Sequence, residues 1–88
     1  MNIETIETQV IEILQDLSSE KITNTSLQLI GDLAMDSLSM IMLLVMIEET
    51  FEIELDESDM NPFTLLAIQD VINLVAKYKV ESEGGGNG

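Results

Sequence analysis

Ile3, Ile6, Val10, Ile13, Leu14 and Leu17 recur at steps of three and four, with Glu4, Glu7, Glu12 and Asp16 between them. That spacing lays one apolar stripe along a helix and predicts a first helix over residues 2–17. Asn2 is placed to cap it, and early acids suit the positive end of the helix dipole. Residues 36–51 predict a second helix, with Asp36 as its N-cap and Ser37 in its first turn. This helix carries two apolar stripes. Met40, Leu43, Leu44, Ile47 and Phe51 form one; Leu38, Ile41, Met42 and Val45 form the other. Leu65, Ile68, Val71, Ile72 and Val75 predict a last helix over residues 65–78, with Thr64 as cap and Lys77 and Lys79 near its negative end.

The connections differ in character. Residues 18–35 have no sustained period, and Asn24, Thr25, Ser26 and Gly31 are turn formers. Leu27, Leu29, Ile30 and Leu33 are too apolar for a freely solvated loop, so this segment is expected to fold down onto the core. Residues 52–62 are acidic and irregular, with one short helical turn expected over residues 57–61 and ended by Pro62. Phe51, Ile53 and Leu55 alternate with Glu52 and Glu54, but a single strand-like run without a partner supports no sheet. The pattern predicts an all-α domain of three main helices and one short one over residues 1–79. Residues 80–88, rich in glycine, are read as a flexible tail. No internal repeat is present.

Composition narrows the function. Seventeen Asp and Glu stand against three Lys in 88 residues, a formal net charge of −14. The absence of Cys excludes disulfides, a thiolate nucleophile and zinc–sulfur sites. The absence of His excludes a Ser–His–Asp relay and His-ligated metals. Three Lys cannot make a phosphate-binding surface, so nucleic acid is not an expected partner, and an anionic membrane face would repel the chain. Basic protein surfaces are the natural partners. The longest apolar run, residues 40–47, is far short of the about 20 residues that span a bilayer. No secretory signal is visible, so a cytoplasmic protein is expected. The absence of His and Cys disfavours an enzyme, and a monomer is expected.

One string is chemically pointed: Leu33-Ala34-Met35-Asp36-Ser37-Leu38. A hydroxyl in the first turn of a helix, just after a long loop, is exposed, and the unbonded N–H groups there favour anions. Ser37 has no His to activate it, so it suits an acceptor that another enzyme modifies. The competing reading is a plain capped helix start.

The surroundings weigh between the two. Leu33, Asp36, Ser37 and Leu38, then Glu48, Glu49 and Phe51 at the end of the same helix, then the acidic run Asp56-Glu57-Ser58-Asp59-Met60-Asn61-Pro62, and the last helix from Ile68 onward together resemble the acyl carrier and peptidyl carrier protein family. The resemblance covers most of the chain. It implies an acyl-carrier-protein-like four-helix bundle. It implies that Ser37, flanked by Asp36 and Leu38, is esterified by a 4′-phosphopantetheine arm delivered from coenzyme A by a phosphopantetheinyl transferase. The arm's thiol then holds acyl or aminoacyl groups as thioesters for loading and downstream biosynthetic enzymes. A chain without Cys would thus import its reactive sulfur.

Two departures from the family pattern stand out. Ala34 replaces the usual glycine before the triplet, which is costly only at positive φ, so a slightly rearranged loop is expected. Ser39 and Met42 stand where many fatty-acid carriers have acids. The stripe of Leu38, Ile41, Met42 and Val45 is assigned to an exposed face that docks partners, with a wider core as the competing reading. Glu48 and Glu49, with Glu52, are expected to add charge contacts at its far end or to form a solvated acidic face. This mixture points to a dedicated carrier in polyketide or nonribosomal peptide biosynthesis rather than general fatty acid biosynthesis. The alternative function is an unmodified acidic helical adaptor that binds through the same stripe.

Leu43, Ile47, Phe51, Leu55, Met60, Ile68 and Val71 are expected to line the interior, with Met40 and Met60 either walls of a cargo pocket or simple packing. The acidic run is not an EF-hand. Asn61 stands where that loop needs Gly, and Ala67 stands where it needs a bidentate Glu.

Overall fold

A computed structural model describes the backbone of residues 2–87 and the side chains of residues 2–79, Pro62 excepted. Three helices carry the fold: α1 (Ile3–Leu17), α2 (Ser37–Phe51) and α3 (Ile68–Asn87). Asn2 caps α1, its Oδ1 accepting the Thr5 N–H at 2.9 Å. Ile6, Val10, Ile13 and Leu14 are buried against α2 and α3, as their spacing predicts, whereas Ile3 is exposed at the helix start.

The short helical turn expected over residues 57–61 is a 3₁₀ turn, Glu57–Asp59, and a second 3₁₀ turn, Pro62–Thr64, follows it. The first turn is over before Pro62, and Pro62 opens the second one, because a fixed φ suits the first helical position.

The last helix begins three residues later than its apolar stripe suggests, and Thr64 is not its cap. The chain just before it is drawn into extended pairing with the first loop. Leu29 donates its N–H to the Leu66 carbonyl at 2.9 Å, and Ile68 donates to the Leu27 carbonyl at 3.0 Å. These bonds make an isolated antiparallel bridge between Gln28 and Ala67. Asp70 then takes over as the capping group, its Oδ2 accepting the N–H groups of Leu66 (3.0 Å) and Ala67 (2.9 Å). α3 continues through Asn87, over the stretch that the sequence reading sets apart as a tail.

The interior is wholly apolar among the described residues. One stripe of α2, Met40, Leu43, Leu44, Ile47 and Phe51, lies inside it. Leu55, Leu65, Ile68, Val71, Ile72 and Val75 meet it from the other side. The long loop folds down as expected, with Leu29, Leu33 and Met35 buried and Leu27 half-buried. Ser18 Oγ pins its far end by donating to the Leu33 carbonyl at 2.8 Å. Two expectations fail. Ile30 and Met60 are exposed rather than interior, because each lies in an irregular segment with no repeat to turn it inward; beside Ile30 it is Leu29 that is buried.

The acidic segment after α2 is tied to α3. The Tyr78 hydroxyl donates to Asp59 Oδ2 and accepts the Asp56 N–H at 2.7 Å. Lys77 Nζ lies 3.3 Å from Asp59 Oδ2. Lys79 donates to the Phe51 carbonyl at 3.1 Å, so it sits at the negative end of α2 rather than that of its own helix. No described helix is long and apolar enough to cross a membrane.

Candidate functional site: a serine at the head of α2

Ser37 is the first residue of α2 and is exposed. Its position follows from the residues before it. Leu33 and Met35 are both buried, and both donate backbone hydrogen bonds back into the loop, Leu33 to Gln28 (3.0 Å) and Met35 to Leu29 (3.1 Å). These two anchors deliver the chain to the helix start. Between them Ala34 takes φ 55. The expected rearrangement away from positive φ does not occur. Burying residues on both sides of position 34 requires the left-handed turn, and alanine adopts it at a cost.

Asp36 has an extended backbone, and its Oδ1 accepts the Ser39 N–H at 2.8 Å. Its carbonyl accepts the Met40 N–H at 3.0 Å. The N–H groups of Ser37 and Leu38 lie in the first turn, where a helix offers no internal acceptor. The Ser39 backbone N–H, and secondarily the Ser39 hydroxyl, hold the Asp36 carboxyl below the usual aspartate range. The cap is therefore ionised at neutral pH and turned onto the helix. Among the described hydrogen bonds none engages the Ser37 hydroxyl.

The face of α2 beside the serine is apolar. Leu38, Ile41, Met42 and Val45 are 43–67% exposed, while the opposite stripe is sealed. At 100° per residue, Glu49 and Glu52 continue the same face, and both are exposed. Glu48 departs from them. It is half-buried, and its Oε2 accepts the Leu55 N–H at 2.9 Å, so it holds the acidic segment in place.

A second exposed apolar group was not anticipated from the sequence. Ile30, Phe63 and Leu66 stand around a small cleft where the first loop meets the segment before α3. The available signal was two large apolar residues, Phe63 and Leu66, lying outside any helical stripe.

The chain matches the family model described as the phosphopantetheine attachment site over residues 4–75, which takes in α1 from its second residue, all of α2 and the start of α3. The chain belongs to that family. A covalently attached 4′-phosphopantetheine goes with the family. An acyl carrier protein of Campylobacter jejuni (strain RM1221) is 40% identical over 52 residues, 59% of this chain and 65% of that protein. The matched region therefore spans just under two thirds of the curated relative's length. No solved structure matches.

The residues at the head of α2 fit such a group. An exposed hydroxyl, two N–H groups without an internal acceptor and the positive end of the helix dipole favour a phosphodiester there. The thiol it would carry supplies a chemistry that a chain without Cys lacks.

Proposed function

We propose that this protein is an acyl or aminoacyl carrier and that Ser37 bears its phosphopantetheine arm. The observation that carries the reading is an exposed serine, capped into the first turn of α2 by Asp36, inside a chain of the phosphopantetheine-attachment family. On attachment a bond forms between Ser37 Oγ and the phosphorus of the arm. The pyrophosphate P–O bond of coenzyme A breaks, adenosine bisphosphate leaves, and the serine proton passes to the transferase. The chain's own residues then position rather than react. The buried Leu33 and Met35 fix the serine in space, and Asp36 holds the first turn closed.

The exposed face of α2 supports the partner assignment. Leu38, Ile41, Met42 and Val45 would seat in an apolar groove beside an enzyme's entrance, with Glu49 meeting basic residues about 18 Å along the helix axis from Ser37. Carrier proteins work with a phosphopantetheinyl transferase, a loading enzyme and downstream biosynthetic enzymes, and those classes are the proposed partners. An uncharged α2 face beside the serine favours a dedicated polyketide or nonribosomal peptide pathway. The unmodified adaptor draws on the same exposed face.

Incubation with a broad-specificity phosphopantetheinyl transferase and coenzyme A separates the readings. The wild type should gain the mass of one arm, and Ser37→Ala should gain none. Identical masses for the two would remove the carrier reading and leave the adaptor.

A further inference from the structure

We propose that Ser18, at the end of α1, is a positioning residue for the modification of Ser37: its hydroxyl locks the left-handed turn at Ala34 that presents the serine. This rests on the carrier reading above. Ser37 lies on a short tether. Position 34 is three residues before it. Met35 is buried, and Asp36 is committed to capping α2. The chain between the turn and the serine therefore has no slack, and the turn decides where Asp36 and Ser37 emerge.

That turn is held from both sides. The φ angle of Ala34 is its rotation against the Leu33–Ala34 peptide group, and ψ is its rotation against the Ala34–Met35 peptide group. The Leu33 carbonyl, part of the first group, accepts the Ser18 hydroxyl at 2.8 Å. The Met35 N–H, part of the second, donates to the Leu29 carbonyl at 3.1 Å. Holding both peptide groups sets both angles, and the outcome is φ 55. Glycine would adopt that angle freely. For alanine the steric penalty is of the same order as the net worth of one hydrogen bond, so the bond from Ser18 tips the balance.

Ser18 is itself firmly placed. It is the C-cap of α1, with an extended backbone and its N–H bonded to the Leu14 carbonyl at 2.9 Å. Its Oγ accepts the Glu20 N–H at 3.2 Å, which turns its single proton toward Leu33. The bond is partly buried, so water competes with it less than at an open surface. The end of α1 is thereby tied to the start of α2. Without that tie Ala34 divides between left-handed and right-handed states, and only the first presents Ser37. An enzyme that binds the competent fraction then meets a higher KM, while the carrier it has bound reacts at the usual rate.

The test pairs transfer kinetics with NMR of the unmodified full chain. With a broad-specificity phosphopantetheinyl transferase, Ser18→Ala should raise KM for the carrier about fivefold, the factor that one hydrogen bond sets, and leave kcat nearly unchanged. Ser18→Thr, which keeps the hydroxyl and suits extended backbone, should restore the wild-type KM. In an Ala34→Gly background, Ser18→Ala should change KM by less than about twofold, because glycine needs no lock. The intraresidue amide–Hα NOE of Ala34, strong only at positive φ, should persist in the wild type and in Ser18→Thr and weaken in Ser18→Ala. An equal rise in KM in both backgrounds would reduce Ser18 to a cap of α1 and overturn the proposal. So would an unchanged KM in Ser18→Ala, or an undiminished NOE. If the wild type is not modified at all, the carrier reading falls and takes the presentation of Ser37 with it, whereas modification without the dependence on position 34 removes this proposal alone.

Discussion

Ala34 and Glu52 are the two non-glycine residues with positive φ among those described, at 55° and 54°. Each follows from its neighbours. Ala34 lies between two buried residues, and Glu52 ends α2 in a left-handed cap where the Ile53 N–H reaches back to the Glu48 carbonyl at 3.1 Å. A left-handed L-residue costs about 1–2 kcal/mol. Ala34→Gly should therefore raise unfolding free energy by about 1 kcal/mol in urea melts, and no gain would show the φ to be strain-free. Tyr78 makes a separate prediction. Its hydroxyl, and secondarily Lys77, hold the Asp59 carboxyl below its ordinary value, while Asp59 pushes the Tyr78 phenol up. The carboxylate's contribution is present above its unfolded value of about 3.9 and lost as pH falls through the lower folded value. The phenol's contribution is present below about 10 and lost as pH rises through its higher folded value. Tyr78→Phe should cost about 1 kcal/mol at pH 7 and flatten the loss of stability at both extremes. Parallel pH profiles for variant and wild type would show that the contact does not couple to titration.

α2 has a buried face and an exposed apolar face, which separate its part in stability from its proposed part in recognition. Leu43 is sealed in the core, so Leu43→Ala should cost about 2–5 kcal/mol. Met42, one residue away, is exposed, and Met42→Ala should stay within about 0.5 kcal/mol of wild type. Equal destabilisation would mean the faces are wrongly assigned. Met42→Asp should leave the melting temperature unmoved yet lower kcat/KM for phosphopantetheinyl transfer, because a charge cannot be buried unpaired in an apolar groove. An unchanged kcat/KM would place the transferase contact elsewhere. α3 differs from the expected element because its first turn competes with the loop bridge. Leu66 and Ala67 give their N–H groups to Asp70 and, with Gln28, form the bridge, so the helix starts at Ile68 despite an apolar stripe that begins earlier.

At the scale of the molecule, charge dominates. With −14 spread over 88 residues, and Lys77 and Lys79 both engaged in intramolecular contacts, the outer surface is strongly anionic. Self-repulsion destabilises the compact state and is screened over about 10 Å at 0.1 M salt. Raising sodium chloride from about 0.01 to 0.15 M should raise the melting temperature, and a falling one would mean that ion pairs outweigh repulsion. The same field favours basic partners at long range. Close contact at α2 should depend little on salt, since the first 11 residues of that helix carry no charge.

Periodicity determined three helices and the two stripes of α2, and residue type determined the N-caps at Asn2 and Asp36, because these depend on contacts within four residues along the chain. The family signature around Ser37 was legible for the same reason, being local and contiguous. Tertiary structure decided what depends on segments far apart in sequence: the Gln28–Ala67 bridge that delays α3, the tie from Tyr78 to Asp59, the inward turn of Glu48 and the exposure of Ile30 and Met60. It also decided the cleft, whose walls come from two irregular segments more than 30 residues apart. Irregular segments have no repeat to read, so their burial is settled only by what the rest of the chain leaves open.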